Sequence, residues 1–89
     1  MCNRNNKKLI NLIIKQNAIQ ILDYLFESGL IIDDKDLIFA SMYGHLEIVK
    51  LFIKNGANIH VDDNIVLVWA SLNRHLEVVK FLIENGANI

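Results

Sequence analysis

GHLEIVKLFIKNGANI, residues 44–59, returns thirty residues later as RHLEVVKFLIENGANI, residues 74–89. Laid at that offset, residues 33–59 and 63–89 share 15 identities in 27 positions, and pairs such as Ile48 with Val78 or Phe39 with Trp69 are conservative. Self-similarity at a period of 20–50 residues is the mark of a repeat architecture, in which each unit buries its neighbour. An active site brings unlike groups together and has little use for duplication, so the pattern points to a stacked scaffold.

Within the unit, Ile48, Val49, Phe52 and Ile53 fall on one arc of a helical wheel, with Glu47, Lys50 and Lys54 on the other. Glu47 in the first turn and Lys54 in the last both suit the helix dipole, and Asn55-Gly56 supplies a left-handed stop. Glu77 and Asn85-Gly86 repeat these devices, with Glu84 in place of the terminal lysine. Ahead of this helix, LIFASMYG and LVWASLNR predict a shorter one, in which Ala40 and Ala70 leave room for a close neighbour and Gly44 permits a sharp reversal. Arg74 stands where that reversal wants glycine, so either it is left-handed at a cost of about 1 kcal/mol or the third turn differs.

Residues 9–32 read as a worn copy. Pairing Gly29 with Gly56 places Ile21, Leu22, Leu25 and Phe26 on the apolar stripe, with a following loop three residues shorter than that after Gly56. The expected organisation is one domain over 1–89: a polar segment 1–8, a degenerate first repeat 9–32, a second repeat 33–62, and a third, C-terminally truncated repeat 63–89. The last flank, with Val78 and Leu82, is expected to face water and to favour association or fraying, which fits a truncated array, a fragment of a larger one, or an end that pairs with another chain.

The stretches ASMYGHLEIVKLFIKNGANI and ASLNRHLEVVKFLIENGANI resemble the ankyrin repeat, with its small residues, Gly-His, leucine-rich stripe and Gly-Ala-Asn-Ile ending. The match is strong over 33–89 and weaker over 9–32. It departs from the family in period, 30 rather than 33, and in lacking the Thr-Pro-Leu-His opening, since the chain contains no proline. This short, Pro-poor style is similar to arrays of large DNA viruses of amoebae and of some protists. The resemblance implies an all-α solenoid of about three helix-turn-helix units joined by short fingers, acting as a non-catalytic protein-binding adaptor. It places the partner surface on the concave face, here Lys15, Gln16, Met42, Tyr43, Leu72 and Asn73, and on the finger residues Asp34, His60, Asp62, Asp63 and Asn64. The partner expected is an unidentified protein, a host protein among the candidates.

Composition limits the alternatives. A net charge of -1 gives no global field for nucleic acid, although Arg4, Lys7, Lys8 and Lys15 precede the first acid, Asp23. Nucleic-acid binding through that basic start is a distant third hypothesis, behind a partner-binding scaffold and a self-associating remnant. Cys2 is the only cysteine, which excludes an internal disulfide and suits a reducing, intracellular, cytoplasmic setting. LINLIIKQNAIQ is broken by Asn11 and Lys15, so neither a secretory leader nor a membrane span is read there. His45 and His75 occupy one repeat position near a helix start, where an imidazole can bond the turn. No closely spaced ligands accompany them, and zinc needs about four. Asp33-Asp34 and Asp62-Asp63 read as solvated finger acids. No phosphate loop, nucleophile elbow or EF-hand occurs, so no enzyme, small-molecule substrate, metal or cofactor is predicted.

Overall fold

The structure, a computed structural model, describes residues 7–87, without the side chains of Lys7, Asp62 and Asp63. Arg4, Cys2 and the final Asn88-Ile89 lie outside the described residues. Among the described residues six helices form: α1 (Lys7–Lys15), α2 (Ile19–Glu27), α3 (Asp34–Tyr43), α4 (Leu46–Lys54), α5 (Val61–Leu72) and α6 (Leu76–Glu84). They pair as hairpins α1/α2, α3/α4 and α5/α6. The hairpins stack so that α3 lies between α1 and α5, and α4 between α2 and α6. The architecture is therefore all-α, three repeat units in a row, 42 Å long and 21 × 18 Å across.

One local device stops all six helices. In α4, Gly56 N–H donates to the carbonyl of Ile53 at 3.1 Å and Ala57 N–H to that of Phe52 at 3.0 Å, with Gly56 at φ +98°. This is a Schellman stop, whose left-handed residue favours glycine. Ala87, the counterpart of Ala57, is buried, which explains why small apolar alanine follows each of these glycines. Asn55 adds a bond absent from the sequence reading: its amide donates to the carbonyl of Leu51 at 2.8 Å, as Asn85 does to Phe81. At the turns inside the hairpins the left-handed position is filled by Asn17, Gly44 and Arg74, at φ +56°, +77° and +62°. Arg74 thus takes the left-handed conformation, the first of its two alternatives.

The predicted stripe of α4 is buried at Ile48, Val49 and Phe52, with Ile53 half-buried, and Ala40 and Ala70 are wholly enclosed between helices. Phe52 meets Phe26 of the preceding unit edge to face, ring centroids 5.7 Å apart at 76°. Two expectations need correction. Val78 and Leu82 are fully buried, because that side of α6 packs on α4, and the trailing, exposed flank carries Val68, Leu72, Leu76 and Ile83 instead. Ile21, placed on the buried stripe of the first repeat, is exposed, because among the described residues no unit lies ahead of it.

The acids also differ from expectation. Asp33 is the N-cap of α3, its Oδ1 accepting from the N–H groups of Lys35 at 3.0 Å and Asp36 at 3.3 Å. Asp36 closes the capping box by accepting from Asp33 N–H at 3.1 Å and is only 2% exposed, so Asp33, read as a solvated finger acid, is part of a cap instead. Its counterpart Val66 cannot do this, and α5 begins differently. The three extra residues of the third repeat enter the helix, which starts at Val61 and carries left-handed Asn64 (φ +67°) at the join. Asp36→Ala is expected to lower stability by about 1 kcal/mol, read as an earlier urea midpoint, since the Asp33 backbone N–H loses its carboxylate.

Candidate interaction surface

The residues expected to meet a partner form two groups, set by the two ends of the inner helices. Lys15, Met42 and Leu72 are equivalent, as are Gln16, Tyr43 and Asn73, and all six stand where α1, α3 and α5 end side by side. Lys15, Gln16, Leu72 and Asn73 are exposed, while Met42 and Tyr43 are half-buried. Asp34 and Asn64 lie at the opposite ends of α3 and α5. From Asp34 to Tyr43 the helix rises about 13 Å, so the set makes two patches.

Histidines fix the first patch. His45 Nε2 donates to the carbonyl oxygen of Lys15 at 3.1 Å, and His75 Nε2 donates to that of Met42 at 2.9 Å. A carbonyl only accepts, so each Nε2 must carry the proton. Each imidazole therefore ties the start of an outer helix to the end of the preceding unit's inner helix, a structural use that extends the predicted bond to the turn. His75 also explains Gly44: a Cβ there would sit 2.6 Å from the Cγ of the imidazole. Tyr43 lies beside His45, ring centroids 6.1 Å apart at 36°, so the histidine that holds the seam also supports the aromatic at the centre of the strip. The Asn73 amide is committed to the carbonyl of Trp69 at 3.1 Å.

The second patch is largely bonded to itself. Asp34 Oδ1 accepts from Asn58 N–H at 3.1 Å. His60 N–H donates to Asn58 Oδ1 at 2.9 Å, and His60 Nδ1 donates to Asn64 Oδ1 at 3.1 Å. Asp62, Asp63 and Asn64 belong to α5 rather than to a finger loop, and His60 precedes its first turn.

Elsewhere the outer helices present paired charges, with Lys50 Nζ 3.6 Å from Glu47 and 5.7 Å above the ring of Phe81 in the next unit. An exposed pair of this kind contributes little. Among the described residues, no group of three or more His, Cys, Asp or Glu is placed to hold a metal ion, and no helix is long and apolar enough to cross a membrane. The sequence anticipated an exposed apolar trailing flank but with Val78 and Leu82 on it; missed were the histidine bonds across the seams and the residues that make up the exposed ends. Comparing burial at one position across the units, rather than along one helix, is what exposes the latter.

A row of two-helix hairpins, each stopped and tied by the same bonds, defines a helical repeat scaffold. A family model for ankyrin repeats (3 copies) matches residues 10–89, and the chain belongs to the ankyrin repeat family. It is 39% identical over 72 residues to an ankyrin repeat protein of Acanthamoeba polyphaga mimivirus, a match covering 71% of this chain and 12% of that protein. The chain therefore spans only a small part of its relative's length. Ankyrin repeats generally mediate protein–protein interaction and are generally not catalytic.

Proposed function

We propose that this chain is a non-catalytic scaffold that holds a protein partner against the strip formed by Lys15, Gln16, Met42, Tyr43, Leu72 and Asn73, inside the cell. The observation that carries this is the alignment of three equivalent residue pairs at the ends of packed inner helices, with half-buried Tyr43 braced by His45 at the centre. The strip combines a cation, two amides and apolar or aromatic surface, a composition suited to a polypeptide. A rigid aromatic at the middle of such a patch is the residue type that anchors interfaces. The self-bonded cluster of Asp34, His60 and Asn64 at the far end has fewer free polar groups and serves as rim. A single cysteine, Cys2, suits a reducing compartment.

Tyr43→Ala is expected to weaken binding of a purified partner roughly 30-fold, the loss of about 2 kcal/mol typical of an anchor. The unfolding midpoint should move little, because the ring is only half-buried. Lys54→Ala, on the outer helix α4, should leave binding unchanged. A folded Tyr43→Ala protein that binds as the unmodified chain does would remove the strip from the account.

A further inference from the structure

The two ends of the stack carry positions that its interior buries. On the trailing flank, Leu72 and Leu76 are 66% and 61% exposed, and Val68 and Ile83 are also exposed. Their counterparts one unit earlier, Ile38, Met42, Leu46 and Ile53, are half-buried where the third unit packs on the second. On the leading flank, Ile21 is 53% exposed, whereas its counterparts Ile48 and Val78 are 0% and 1% exposed. Leu9 is likewise exposed, and its counterparts Asp36 and Val66 are buried. Inside the stack a trailing flank is always covered by a leading flank. Among the described residues, the first and third units therefore carry the two halves of one interface, at opposite ends.

We propose that a second copy of this chain docks head to tail, the leading flank of its first unit (Leu9, Ile21 and Tyr24) covering the trailing flank of the third (Val68, Leu76 and Ile83). One polar contact of the internal seams has a counterpart at the outer one. Lys50 lies over the ring of Phe81 across one seam. The corresponding residues at the outer seam are Lys80 and Tyr24, again a cation and an aromatic ring. His75 presses on Gly44 internally. At the outer seam Ala18 replaces that imidazole and Arg74 the glycine, so the larger side chain still stands opposite the smaller residue, while the histidine bond that ties each internal seam is absent there.

Such a contact joins unlike surfaces and does not close on itself, so copies add in a row. It is also weak. A cross-section of 21 × 18 Å offers about 380 Å² of projected face, against about 800 Å² per partner in a standard stable interface. Association is expected in the high micromolar range.

Sedimentation of the 89-residue chain from about 10 μM to about 1 mM should show mass rising with concentration. Leu76→Asp and Ile21→Asp alter exposed residues and should keep the helicity and unfolding midpoint of the unmodified chain, yet each alone should stay monomeric. Mixed one to one, the two variants should form a dimer and nothing larger, because one supplies an intact leading flank and the other an intact trailing flank. A monomer throughout would overturn the proposal and leave the flank to a further unit of a longer chain. Variants that fail to combine, or that still associate alone, would overturn it as well. Neither residue belongs to the Tyr43 strip, so this result is separable from partner binding.

Discussion

Phe52→Ala is expected to destabilise the chain by about 3–5 kcal/mol, the range for deleting a buried aromatic and leaving a cavity. Phe52 is the largest fully buried side chain and the one that joins the first two units through Phe26. A domain of this size has total stability on the order of 5–10 kcal/mol at best. The variant should therefore populate unfolded chain at room temperature, seen as reduced helical circular dichroism and an unfolding transition without a folded baseline. Leu82→Ala, at the equivalent position of the third unit, should cost less, about 2–3 kcal/mol, because only one unit packs against it among the described residues. Equal losses at the two sites would mean that burial between units is not what holds the stack.

Gly44→Ala is the second large effect, and its cause is specific. Alanine at φ +77° costs about 1 kcal/mol in backbone strain. Its Cβ would also meet the His75 imidazole, which cannot move away and keep its bond to the Met42 carbonyl. Losing that bond adds about 1 kcal/mol, for a total of about 2 kcal/mol in urea unfolding. His75→Ala alone should cost about 1 kcal/mol. The double variant should cost about 1 kcal/mol less than the sum of the two, because the imidazole supplies the atoms nearest the added methyl and its bond is lost only once. Additive losses would show that the glycine is needed for its backbone alone.

Much of this fold was legible in the repeat itself. Periodicity identified the apolar arc of α4, and Gly56 with Ala57 marked its stop, because both are local consequences of helix geometry. The direction of each edge of that arc was not legible. Spacing shows that Val78, Leu82 and Ile83 share a stripe, but which of them meets the preceding unit depends on how successive hairpins are rotated in the stack, and no single helix encodes that. The same limit hid the exposure of Ile21. Asp33 was misjudged for a different reason. A carboxylate reads as solvated unless the donors it serves are known, and here they are the backbone N–H groups of Lys35 and Asp36, offered only once α3 has formed. At the candidate site, equivalence between repeats found the row of helix ends. It could not show that three added residues would lengthen α5 instead of a finger, or that Asp34 would be occupied by Asn58.

The central claim, that the ends of the inner helices receive a protein partner, is tested most directly by a photo-crosslinking residue placed at position 43, with position 54 on the outer helix α4 as control. Applied to the purified complex, the account predicts a crosslinked partner band from position 43 and none from position 54. Crosslinking from position 54 alone would place the partner on the outer helices and contradict it.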